Sequence, residues 1–170
     1  MDKETNYLAL PAKRKGEWQA VIEIPKGSRK KRAVHKGHPA EVVIEDKVRK
    51  PFMCAYGFIP GTDAKDGECV DVFVFGHGLK TLDVVNIEIV GMVRVCDDGV
   101  EDNKVIACVK TEKVDKRDVR RVVRYIEKKT KECSVCHKQR MCSKEETERF
   151  LERKMKGSKK QNEILNEYIA

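Results

Sequence analysis

Residues 68–75, Glu-Cys-Val-Asp-Val-Phe-Val-Phe, are apolar at both parities of a strand except at Asp71. A strand of that kind is covered on both faces, so the rest of the chain must supply a layer on each side of it. Asp71 is then the costly residue. An unpaired carboxylate in such a place costs several kcal/mol or stays protonated, whereas a metal ion or a salt-bridge partner removes that cost.

Two more acids, Asp66 and Glu68, stand just ahead of Asp71, and a second acidic group follows at Asp97, Asp98 and Asp102, with Lys104 beyond it. Carboxylates gathered at strand ends repel one another and are driven toward protonation unless cations neutralise them. Hard oxygen donors favour magnesium, manganese or calcium, so a divalent-metal site is the first expectation. For Asp97 and Asp98 a bland alternative exists, because Asp-Asp-Gly is ordinary turn chemistry.

The charge pattern supports an anion arriving with metal ions. The chain of 170 residues carries a formal net charge of +8, but unevenly. Residues 1–60 hold 13 Lys/Arg against 7 Asp/Glu, residues 61–109 hold 4 against 10, and residues 110–170 hold 19 against 11. Central carboxylates suit cations, while flanking Lys and Arg suit an anion. Nucleic acid is the competing reading of the basic flanks, weakened because Trp18 and the scattered aromatics form no stacking platform. No run of about 18 apolar residues is present, so no membrane partner is expected. The N-terminus lacks the apolar core of a signal peptide, and a cytoplasmic protein is the default.

In chain order, Gln19–Pro25 is a short β-branched run ended by proline, which predicts a strand. Within it Glu23 is either on the solvent face of an alternating strand or a functional carboxylate. A loop is expected over Lys26–Arg32, then a strand over Glu41–Asp46. Leu82–Cys96 and Lys104–Val109 predict a hairpin with acids at its tip. These strands suggest a closed or nearly closed barrel with function on its rim, spanning about residues 18–110. After it, Asp115–Thr130 has helical periodicity. Ser143 with Glu146 is a capping box opening a second helix through Lys156, which Gly157 stops. A third short helix is expected over 159–170. The length is that of one domain, 1–170.

Seven cysteines without an export signal point to free thiols or metal ligands in a reducing compartment. Cys54, Cys69, Cys96 and Cys108 are most simply core residues. In the insert 133–142, Cys133, Cys136 and Cys142 could hold a structural zinc ion; plain loop cysteines are the alternative.

Tyr56-Gly-Phe-Ile-Pro-Gly-Thr62, Asp66-Gly-Glu-Cys-Val-Asp71, and Asp97 with Asp102-Asn-Lys104 resemble the signature segments of the soluble family I inorganic pyrophosphatases. The resemblance begins at Val21-Ile-Glu-Ile-Pro-Lys-Gly-Ser28 and ends near Val109. It implies a mainly β, α+β fold: an OB-like five-stranded barrel with C-terminal helices packed on it. It also implies magnesium-dependent hydrolysis of pyrophosphate to two orthophosphates, with manganese as a substitute metal, in a cytoplasmic homo-oligomer. By the same resemblance Asp66, Asp71 and Asp102 hold the activating metals. Asp97 and Glu23 face the metals that accompany substrate, Glu68 deprotonates the attacking water, and Lys31, Lys47, Tyr56 and Lys104 hold the phosphates.

Several positions depart from the pattern. Glu68 stands where the family has an aspartate, Lys47 replaces an arginine, and Ala33 replaces a glutamate. The family's late Tyr-Lys pair has no clear counterpart, Phe150–Met155 aligning only loosely. The Cys133–Cys142 insert is foreign. These departures define the alternative function, a catalytically weakened barrel that binds polyphosphate, nucleotide or nucleic acid.

Overall fold

The computed structural model describes residues 4–64, 67–97, 99–130 and 141–157. After a 3-10 turn at Tyr7–Ala9, two strands, β1 (Lys13–Arg14) and β2 (Glu17–Ile24), form a tight hairpin. There follow β3 (Lys30–His35), β4 (His38–Lys47), β5 (Ala55–Ile59), β6 (Val70–Phe75) and β7 (Val84–Val93). A small hairpin, β8 (Cys96–Asp97) and β9 (Val100–Glu101), leads into β10 (Lys104–Val109). The chain then enters α1 (Lys116–Thr130), a short strand β11 (Met141–Cys142), and α2 (Lys144–Lys154).

Five strands close on themselves in the order β2, β5, β6, β10, β7, and β7 pairs back to β2. All these pairings are antiparallel except β6 with β10. Closure leaves the five strands without a free edge among themselves, the expected solution for a chain with a strand buried on both sides. The long run from Leu82 proves to be β7 alone, ending at Val93, and the acids expected at its tip belong to the separate β8–β9 hairpin.

Strand alternation sorts the apolar residues into three groups. Val70, Val72 and Val74 of β6 join Ala20, Ile22, Ile87, Ile89, Val105 and Ala107 in the barrel interior. Phe73 and Ile106, of opposite parity, pack outward against Val122 and Ile126 of α1. Val21 and Phe58 meet Val34 of β3 on another part of the outside. The core is thus an inner layer plus two outer layers, one roofed by α1 and one by the β3–β4 hairpin.

The helices start where their local chemistry dictates. Ser143 accepts the Glu146 N–H at 3.2 Å, satisfying one otherwise unpartnered helix donor. The second helix ends at Lys154 rather than Lys156, because Met155 turns extended and bridges Thr62. The loop expected over Lys26–Arg32 is shorter, since Lys30, Lys31 and Arg32 already belong to β3. Their pairing with β4 overrides their weak strand propensity. Cys133, Cys136 and the expected third helix over 159–170 lie outside the described residues. Cys142 sits in the interior cluster, 1 % exposed, and among the described residues no group of His, Cys, Asp or Glu supports the expected zinc clamp.

Candidate active site

The register of three neighbouring strands assembles the site. Lys104, the first residue of β10, is the parallel partner of Asp71, the second residue of β6. On the other side of β6, Tyr56 of β5 is the partner of Phe73. Asp71 alternates with the interior valines Val70 and Val72, so it faces outward with Phe73. The group therefore lies on the outward side of the barrel where β6 and β10 begin, rather than on a rim of loops alone.

Lys104 is the centre of the group. Its ammonium donates to Asp71 Oδ2 at 2.5 Å and to both oxygens of Asp102 at 2.9 Å, with Tyr56 Oη at 3.4 Å. Burial alone would lower its pKa, but the charges of Asp71 and Asp102 outweigh that and raise it. Tyr56 is raised well above the phenolic range, by burial first and then by the negative charge and hydrogen bond of Asp71. Its ring packs edge-on against Phe73, centroids 4.9 Å apart, and against Phe52 at 5.9 Å. The hydroxyl is held protonated, as a donor.

Asp102 is set by its neighbours. Its N–H donates to the Val95 carbonyl at 2.8 Å. The next residue, Asn103, is buried, accepting the Val95 N–H at 3.0 Å and donating to Glu101 at 2.6 Å. Thr62 plays the same part on the other side: its hydroxyl donates to Ile59 O at 2.5 Å and accepts the Val70 N–H at 2.9 Å, tying β5 to β6. Both residues fall inside the quoted motifs, but nothing in their spacing marks them as supports.

Glu23 is only 7 % exposed, which removes the solvent-face alternative. The physical reason is a bulge. Ile22 pairs with Gly57 and Ile24 with Tyr56, so Glu23 is the extra residue in β2 and is freed from the alternation. Its Oε1 accepts the Val34 N–H of β3 at 2.9 Å, beneath the β3–β4 hairpin. Burial raises its pKa to about 8; that hydrogen bond opposes the rise, and the charges of Asp71, Glu45 and Glu68 add to it.

Glu68 is exposed, in the loop entering β6, where its carbonyl accepts the Ala64 N–H at 2.7 Å. Lys31 and Lys47 stand near the open end of the β3–β4 hairpin, and Lys31 is 3.5 Å from Glu45. No printed contact joins them to Lys104, so the structure does not bring them into the central group. Asp97 is in β8 by its backbone, and Asp66 lies outside the described residues.

The donor set fits a hard divalent cation. Asp71, Asp102, Glu23 and Glu68 offer only oxygen, and the raised pKa of Glu23 records carboxylate crowding that a cation would relieve. Among the described residues no three such side chains already surround one point, two of the five expected ligands having side chains outside the description.

The family model described as inorganic pyrophosphatase matches residues 20–170. An inorganic pyrophosphatase of Gluconobacter oxydans is 38 % identical over 97 residues, covering 55 % of each chain. One from Campylobacter jejuni is 35 % identical over 100 residues, 58 % of each chain. The chain thus spans little more than half the length of these relatives. Among solved structures, an inorganic pyrophosphatase from Neisseria gonorrhoeae superposes with a TM-score of 0.72 at 20 % identity, covering 91 % of this chain and 98 % of its own. The Thermus thermophilus enzyme gives 0.64 at 29 % identity, covering 73 % and 77 %. The barrel with packed helices is therefore the fold of these proteins.

Proposed function

The chain belongs to the inorganic pyrophosphatase family, and from that membership we propose that it hydrolyses inorganic pyrophosphate to two orthophosphates with magnesium, or manganese in its place. The observation that carries this reading is the convergence of Tyr56, Asp71, Asp102 and Lys104 from three adjacent stretches into one hydrogen-bonded group. Phosphoryl transfer asks a protein mainly for positioning and charge stabilisation, and such a group supplies both.

Bound divalent metal supplies charge neutralisation of phosphate oxygens and acidifies a water molecule. Asp66, Asp71 and Asp102 would hold the activating ions, and Asp97 and Glu23 those that arrive with substrate. The chain's own residues do the rest. Glu68, exposed beside this patch, takes the proton of the attacking water as its oxygen bonds to phosphorus. The bridging P–O bond breaks, and the leaving phosphate takes its proton back from Glu68 or from solvent. Lys104 and the protonated Tyr56 donate to phosphate oxygens, while Lys31 and Lys47 add positive charge from the hairpin. A cytoplasmic, homo-oligomeric setting is part of the same proposal, supported by the family resemblance. Among the described residues no helix is long and apolar enough to cross a membrane.

Phosphate release from pyrophosphate by the purified full chain, with magnesium and with a chelator, tests the reading. Metal-dependent release supports it, and phosphate-analogue or polyphosphate binding without release would favour the weakened-barrel alternative.

A further inference from the structure

Beneath the central group lies a cavity of about 10 Å³, lined among others by Asp71, Glu101, Asp102, Asn103, Phe150 and Lys154. It is roughly the room of one water molecule. The basic residue in this lining is Lys154, the last residue of α2, which sequence motifs gave no reason to place here.

Its position is held by backbone bonds to the loop that leads into β6. The Lys154 carbonyl accepts the Asp63 N–H at 2.8 Å, and the Lys156 N–H donates to the Gly61 carbonyl at 2.8 Å. Thr62 and Met155 form the bridge between them. The same loop carries Glu68 on its way to Asp71. The Lys154 side chain lies along Phe150, its Nζ 5.6 Å from the ring centroid. Lys104 is already committed to two carboxylates, whereas Lys154 enters no salt bridge among the described residues.

We propose that Lys154 is a further substrate-binding residue, donating from the end of α2 to a phosphate held at Asp71 and Asp102. This rests on the pyrophosphate reading of the site. It would give the chain a phosphate-gripping cation from a helix where the family's late Tyr-Lys pair has no clear counterpart. A lysine suits the role because it is a mobile point charge on a long stem, able to follow a phosphate rather than fix a plane.

The test uses methylenediphosphonate, a pyrophosphate analogue that cannot be hydrolysed, titrated by calorimetry into the full chain at saturating magnesium. Lys154→Met is expected to weaken its binding about tenfold, the scale of one lost charge-assisted hydrogen bond, and Lys154→Arg to restore most of it. In turnover, KM for magnesium pyrophosphate should rise by a similar factor with kcat little changed. Binding within about twofold of the parent overturns the proposal, as does a change confined to magnesium affinity. A parent that binds the analogue in a Lys154-dependent way but releases no phosphate leaves the cation in place and removes the hydrolytic reading. A parent that hydrolyses pyrophosphate while Lys154→Met binds normally removes the cation alone. A parent that does neither removes both.

Discussion

The ammonium of Lys104 lies 2.5 Å from Asp71 Oδ2, across the one parallel pairing in the barrel. In a parallel pair the two strands start at the same end, so residues near the starts of β6 and β10 meet there. That register, with Asp102 two residues before Lys104, turns two separate acidic segments of the sequence into one charge cluster.

Lys104→Met should leave Asp71 and Asp102 facing each other without their shared cation. Both are mostly shielded, with side-chain exposures of 26 % and 31 %. Denaturant unfolding of the metal-free variant is expected to show a loss of about 3 kcal/mol, since removing one partner of a partly buried pair strands the other. Added magnesium should recover part of it. A variant as stable as the parent in chelator would show that the cluster does not need its lysine.

Glu23 predicts a pH dependence in the metal-free protein. Its folded-state pKa is about 8 against an ordinary 4.5, so between those values the folded chain keeps a proton that the unfolded chain has lost. Stability must therefore fall as pH rises through that window and level off above it, by at most on the order of 5 kcal/mol for this group. Glu23→Gln has no proton to lose and can still accept the Val34 N–H. Its advantage over the parent should grow from pH 5 to pH 8 in chelator. Parallel stability curves for the two proteins would contradict the burial and crowding assigned to Glu23.

Gly57 is a structural constraint inside a functional motif. A Cβ there would stand 1.9 Å from the Val21 carbonyl oxygen, where β5 pairs with β2. The obstacle is backbone, so no side-chain rotation relieves it. Gly57→Ala is expected to cost at least about 3 kcal/mol by thermal or denaturant unfolding. A melting temperature unchanged within a few degrees would mean that β2 and β5 pack less closely than described.

Glu68 separates geometry from charge. Glu68→Gln keeps length and shape but cannot take a proton, and should lower kcat by roughly 100-fold if Glu68 is the general base. Glu68→Asp shortens the side chain to the family's usual length and should stay within reach of the parent. A Gln variant that keeps most of the parent rate across the pH profile would take Glu68 out of the mechanism and leave the metal ligands standing.

Much of this molecule is legible in its sequence because the informative signals are local. The two-sided apolarity of Val70–Phe75 demands closure, and the barrel closes. Val119, Val122, Val123 and Ile126 repeat at helical spacing, and α1 lays them on Phe73 and Ile106. What escapes is set by contacts distant in sequence. Glu23 reads as an alternating surface residue because nothing local announces the bulge between Ile22 and Ile24 or the hairpin that covers it. Lys30–Arg32 reads as a charged loop because its strand exists only by pairing with β4. Lys154 reads as a surface lysine because its neighbours Asp71 and Asp102 are far behind it in the chain.

The most direct test of the account is phosphate release from pyrophosphate by the parent and by Asp71→Asn, each with magnesium and with chelator. Asp71 is both the carboxylate joined to Lys104 and an expected metal ligand, and the amide keeps its shape while removing its charge. The parent is expected to release two orthophosphates per pyrophosphate with magnesium and none in chelator, and Asp71→Asn to lose release under both conditions while binding magnesium more weakly. Release by Asp71→Asn at the parent's rate, or no magnesium-dependent release by the parent, would contradict the proposed function.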